Sequence, residues 1–292
     1  MHTRALSLLF AATLISGPFL QRTFAQAGAQ QPDPAKKTAS GQARGGSTAA
    51  DQPVPRTDAN SKLAHEQMRE NLKKGRIDVY FAGDPITRRW RATDYPRFLA
   101  NWNENFLGWN AANFGWGADT IQNILWRLQN DELDGVHPKV IVLLAGTNNV
   151  GNFPASAARV DDIAKGIKAL LGTMREKAPK ATIIVMGILP RNDGANPAAL
   201  VASIDKINEN IATFADGKAI RYLNINDKLA DKNGKLFDDV TGDRLHLSPK
   251  GYQIWADALK PLFLELLGPR AQEDHAPPPT GDPSAAKKTR RE

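Results

Sequence analysis

The chain reads as an α/β protein: a three-layer α/β/α sandwich around a parallel sheet. Two observations predict this. Apolar runs at 77–82, 139–145, 182–188 and 220–225 are strand-length, rich in Val and Ile, and nearly unalternated. That pattern suits strands covered on both faces. Between them, apolar residues recur at helical spacing, as at Ile121, Ile124, Leu125 and Leu128. Alternating strands and helices make a layered sheet.

The elements follow in order. Residues 1–27 combine a basic start (His2, Arg4), an apolar run from Ala5 to Leu20 and small residues at Ala25-Gln26-Ala27. This predicts a signal peptide and a secreted or periplasmic location, since the run is too short to span a bilayer. No stable membrane insertion of the mature chain is expected. Residues 28–60 are rich in Gln, Ala, Pro, Gly, Ser and Thr without apolar periodicity and predict a disordered linker. A single domain is expected over 61–268. Its first strand, 77–82, ends in the turn Gly83-Asp84. The helix at 121–128 and the strand at 139–145 come next. Ile163, Ile167, Leu170, Leu171 and Met174 mark a helix that ends before Pro179. After the strand at 182–188, Ile204, Ile207 and Ile211 mark another. The last helix starts at Ser248-Pro249, a capping residue before proline at the first helical position. Residues 269–292, with Pro277-Pro278-Pro279 and Lys287, Lys288, Arg290 and Arg291, predict a disordered basic tail.

The 292 residues carry a formal net charge of +7 and no cysteine. Thiol and disulfide chemistry is therefore excluded. Six Lys/Arg against three Asp/Glu precede residue 61 and five against four follow residue 268, leaving three net positive charges to the domain. That balance is ordinary and gives no reason to expect a nucleic-acid partner.

The chemistry-bearing motifs fall where strands end. Gly83-Asp84-Pro85 follows the first strand, at the carboxyl edge where open α/β sheets place ligands. Asn113-Phe114-Gly115-Trp116-Gly117-Ala118-Asp119-Thr120 comes second, Gly146-Thr147-Asn148-Asn149 third, and Asp243-Arg244-Leu245-His246 last. In this order the blocks resemble the SGNH (GDSL-type) esterase/lipase family over about two hundred residues. The stretches Ile124-Leu125-Trp126-Arg127-Leu128, Pro138-Lys139-Val140-Ile141-Val142 and Ile188-Leu189-Pro190-Arg191 are similar to the catalytic subunits of intracellular platelet-activating-factor acetylhydrolase and their bacterial relatives.

The resemblance implies a flavodoxin-like fold, no cofactor or metal, and a small-molecule, glycan or lipid ester as ligand, with a homodimer as one assembly. It implies that His246 is the general base and Asp243 its orienter, in place of a surface Asp and a histidine near a cap. It implies that Asn148 donates to an oxyanion, where the bare sequence also allows a turn. A backbone N–H of Gly117 or Ala118 would be a second donor, alanine being tolerable if its backbone is ordinary. Asp119 is either part of that block or a helix cap.

Pro85 stands where the family carries its nucleophilic serine. Proline has no hydroxyl and no backbone N–H, so one residue removes both the acyl acceptor and an oxyanion donor. Serine and proline codons differ by one base. Thr87, expected in the following turn, and Ser248, expected as a cap, are no obvious substitutes. Asp84 remains as a supporting hydrogen-bonding or basic group. Trp90, Trp102, Trp109 and Trp116 are expected in the core rather than lining a subsite. Three readings follow: an ester hydrolase scaffold impaired at Pro85, a non-catalytic ester- or glycan-binding module, and a hydrolase in which His246 activates water directly.

Overall fold

A computed structural model describes residues 48–285. The signal-peptide reading of 1–27, and the linker reading up to residue 47, lie outside them.

Five strands, β1 Val79–Gly83, β2 Ala111–Gly115, β3 Val140–Leu144, β4 Thr182–Met186 and β5 Ile220–Leu223, form one sheet in the order β2-β1-β3-β4-β5. Every pairing is parallel. This is the flavodoxin-like order, which reverses direction between β1 and β3 and opens a crevice there at the carboxyl edge. The α/β expectation is met. β2 is the strand the apolar pattern did not mark: Ala-Ala-Asn-Phe-Gly has little β-propensity of its own and is held by its register with β1.

The helices are α1 Ala59–Leu72, α2 Pro85–Arg91, α3 Pro96–Phe106, α4 Ile121–Arg127, α5 Thr147–Val150, α6 Ala157–Lys177, α7 Pro197–Ala212, α8 Asn226–Leu229 and α9 Pro249–Leu267. Successive strand residues point to opposite faces, so β1 feeds two cores. Tyr80 and Ala82 join residues of α1, α4, α6 and α7 on one side. Val79 and Phe81 join α2, α3 and α9 on the other. On that second side Trp90, Trp102, Phe106, Trp255 and Phe263 surround Phe81, mostly edge to face, the geometry aromatic quadrupoles favour. Trp90, Trp102, Trp109 and Trp116 are all buried, as core residues.

Two glycines let α2 lie directly on the sheet edge. Gly83 pairs with Gly115 on one side and Leu144 on the other. A Cβ on Gly83 would run into the Thr87 side chain and the Leu144 carbonyl, and one on Gly115 would meet the Arg88 nitrogen at 2.5 Å.

Both domain boundaries need correction. Residues 48–60 do not behave as linker: Ala50 is buried and its N–H donates to Asp162, while Asp58 caps α1 by accepting from Ser61 N at 2.9 Å. The tail is not free from residue 269. The Asp274 carboxylate accepts from Gly108 N and Asn110 N. The carbonyls of His275, Pro277, Pro278 and Thr280 accept from Arg76 N, Arg91, Asn71 and Thr93 N. Asp282 receives Asn60 at 3.0 Å. Composition suggested disorder, but the partners that fix this strap lie on distant elements, and prolines serve here through their carbonyls alone. Among the described residues no helix is long and apolar enough to cross a membrane.

Candidate active site at the carboxyl edge

Asp84 leaves β1 in extended geometry (φ −96°, ψ −163°) and caps α2, its Oδ1 accepting from Ile86 N at 2.9 Å. Pro85 occupies the first helical position, where a missing N–H breaks no helical hydrogen bond. The proline is buried and contributes no hydrogen-bond donor. Asp84 is fully buried, and Oδ2 has no hydrogen-bond partner among the described residues. Burial pushes its carboxyl up to about 7, helped by Asp119 and opposed by the Ile86 N–H. Thr87 lies inside α2 rather than in a turn. Its hydroxyl is buried against Gly83, out of reach of solvent.

The third block follows β3. Gly146 takes φ 116°, a left-handed conformation that glycine accepts freely, and turns the chain into α5. The Asn148 amide donates to the Asp119 carbonyl at 2.7 Å, which leaves its second N–H for another acceptor. The second block is held from behind. Arg56 donates to the Gly117 carbonyl at 2.9 Å and to Asp119 at 3.2 Å. Ala118 has φ 60°, so its backbone is not the ordinary one that alanine tolerates without strain. Asp119 is not the cap of α4; Thr120 is. Asp119 is fully buried and paired with Arg127 at 2.8 Å. Arg127 also donates to the Phe114 carbonyl at 3.1 Å and to Glu132. Burial pushes the Asp119 carboxyl up while Arg127 and Arg56 pull it down.

The fourth block is a compact loop. The Asp243 Oδ1 accepts from Leu245 N and His246 N, and Oδ2 meets His246 Nδ1 at 2.8 Å. Burial alone would raise the Asp243 carboxyl, but the His246 ring and backbone N–H hold it well below the usual range. His246 is 7% exposed, and with Nδ1 engaged its Nε2 is the free ring nitrogen. The loop is tied to its neighbours: Asn192 N donates to Arg244 O at 3.0 Å. The Tyr252 hydroxyl on α9 donates to the Ile86 carbonyl on α2 at 2.6 Å. Ser248 is spent as the cap of α9.

Sequence reasoning missed the groups that support these loops. Arg191, in the Leu-Pro-Arg stretch, is buried and donates to the Thr147 carbonyl and hydroxyl. Arg127 lies within a stretch that was itself legible. Arg56 and Tyr252 carried no signal, because their partners are backbone carbonyls or residues far off in sequence.

Comparison with known proteins shows the family and the fold. A model of the GDSL-like Lipase/Acylhydrolase family matches residues 81–254. The bovine platelet-activating factor acetylhydrolase IB subunit alpha1 is 31% identical over 220 residues, covering 75% of this chain and 89% of the relative. The rat alpha2 subunit is 32% identical, covering 72% and 86%. A GDSL-like lipase from Bacteroides thetaiotaomicron, 22% identical, superposes with a TM-score of 0.54 over 70% of this chain and all of that one; it shares the fold.

Proposed function

Because the chain belongs to the GDSL-like lipase/acylhydrolase family, we propose that it is an exported ester-hydrolase scaffold for acetyl or short-acyl esters of carbohydrate or lipid, and that Pro85 silences it. The observation that carries the reading is Pro85 at the start of α2 in a chain whose Asp243–His246 pair is assembled. Relatives called acetylhydrolases favour a small acyl group.

The arrangement supports the following chemistry once residue 85 is serine. His246 Nε2 takes the hydroxyl proton as the oxygen attacks the ester carbonyl. Asp243, already bound to Nδ1, fixes the tautomer and stabilises the imidazolium. The Asn148 amide and backbone N–H groups receive the oxyanion. The 117–118 peptide is trans, so with the Gly117 carbonyl turned to Arg56, the Ala118 N–H points the opposite way. This favours Ala118 over Gly117 as donor. His246 then protonates the departing alkoxide, and water, deprotonated by His246, releases the acid.

As proline, the chain lacks the nucleophile and one donor. Loss of a donor alone costs about 10²–10³ in rate. The test compares the proline form with Pro85→Ser on a short-chain aryl acetate, with His246→Ala in the serine form as control. Background turnover before the change, and robust His246-dependent turnover after it, are expected. Robust turnover by the proline form that dies with His246→Ala would favour direct activation of water. An inert but folded serine form that binds ester without turnover would favour a binding module.

A further inference from the structure

On the α1 side of the sheet lies a second cleft, of about 400 Å³, within the range of small-ligand sites. Its walls are α1 and the turn after α4. Lys62, His65 and Arg69 recur at i, i+3 and i+7 on α1, which places them on one helix face, and all three line the cleft. Trp126 forms part of the opposite wall, half-buried, its ring 5.0 Å from that of His65.

The floor is built rather than incidental. Arg127, buried, is clamped between Asp119 and Glu132. Glu132, also fully buried, takes His65 Nδ1 at 2.7 Å. Its backbone carbonyl accepts the Tyr80 hydroxyl at 2.8 Å. With Nδ1 turned down to Glu132, His65 Nε2 lies on the far side of the ring. The acidic residues at the rim are Glu66 and Asp131, and Asp131 is engaged by Arg69 at 2.7 Å. Arg56 is spent on Asp58, Asp119 and the Gly117 carbonyl. Lys62 is exposed and enters no ion pair among the described residues.

We propose that this cleft binds a compact anion carried on a ring, with the anion held by Lys62 and by Arg69 drawn from Asp131, beside the His65 ring, and the sugar-sized ring against Trp126. An acidic or phosphorylated monosaccharide has that chemistry: cationic donors suit carboxylate or phosphate, and an indole face suits the apolar side of a sugar ring. The site is separate from the Asp243–His246 loop and does not depend on ester hydrolysis.

The test uses the proline form as it stands. Glucuronate, glucose 6-phosphate and glucose are titrated by calorimetry, and in parallel by NMR of the His65 ring, assigned with His65→Gln. At least one of the two anions is expected to bind and move the His65 resonances, while glucose does neither; which anion binds separates carboxylate from phosphate ligands. Lys62→Ala and Arg69→Ala should each weaken binding about tenfold, a change of ~1.4 kcal/mol, with unchanged urea midpoints. Failure of both anions to shift His65, equal binding of glucose, or binding indifferent to both substitutions would overturn the proposal.

Discussion

His246 and His65 each present Nδ1 to a carboxylate oxygen, at 2.8 Å and 2.7 Å, yet the two pairs are built in opposite ways. Asp243 and His246 are three residues apart on one loop, and the carboxylate also accepts the loop's own N–H groups. His65 and Glu132 are 67 residues apart. They meet because α1 packs across the turn after α4, and Glu132 is shared with a buried arginine. The first pair is a local structure that a short motif can encode. The second is a tertiary structure whose members mean nothing apart. A local pair whose carboxylate is half-buried is free to serve chemistry, while a pair whose carboxylate is buried and shared is bound up with stability.

Substitutions should separate the two. In the Pro85→Ser form, Asp243→Asn is expected to lower kcat by about 10⁴, the cost of a wrongly oriented imidazole, with little change in the urea midpoint. Glu132→Ala should do the reverse. It leaves Arg127 short of a partner, and breaking a buried ion pair costs about 3–5 kcal/mol, to be read from urea unfolding at constant slope. If Asp243→Asn unfolds the protein, or Glu132→Ala leaves its stability intact, the contrast fails.

Asp84 sharpens it further, as a fully buried carboxylate raised by burial and by Asp119 against the pull of Arg191. Its carboxyl rises from 3.8 to about 7 on folding. The folded state therefore holds a proton that the unfolded state releases. The associated stability is full below 3.8 and is lost as pH rises towards 7. At 1.36 kcal/mol per unit the ceiling is ~4 kcal/mol. Asp84→Asn keeps a capping oxygen and should flatten this dependence between pH 4 and 7. Urea midpoints at several pH values check it; an equally steep profile in the asparagine form would assign the effect to another group.

The smallest effect concerns the oxyanion loop. Ala118 sits at φ 60°, where a Cβ costs roughly 1 kcal/mol or more. Ala118→Gly should raise Tm by a few degrees, offset in part by glycine's entropy in the unfolded chain. Calorimetric unfolding measures it. No gain would mean that the surrounding contacts, above all Arg56 on the Gly117 carbonyl, already compensate for the strain.

The same distinction explains what the sequence disclosed. Pro85, Asn148, Asp243 and His246 were legible because each lies in a short block just after a strand or before a helix cap. The β1, β3 and β4 strands were legible because burial on both faces writes itself as unbroken apolar runs, while β5, half-buried at the sheet edge, showed through Ile220, Tyr222 and Leu223 alone. β2 was not, since Ala111-Ala112-Asn113 is strand only by virtue of its neighbour. The Glu132–His65 pair, Arg56 on the Gly117 carbonyl and the Asp274 anchor were hidden for a common reason: a polar residue whose partner is far off in sequence looks like any other polar residue.

The strap at 269–285 bears on how the molecule comes into being. Asp282 holds Asn60 across 222 positions, and Asp274 holds Gly108 across 166. A ribosome makes the receiving elements before the strap, so none of these bonds can close until the strap itself has been made. The nascent chain has to carry α1 and the α2–α3 corner with Arg91 and Asn110 unfastened. Fastening joins elements far apart in sequence, so it comes after those elements have themselves been made.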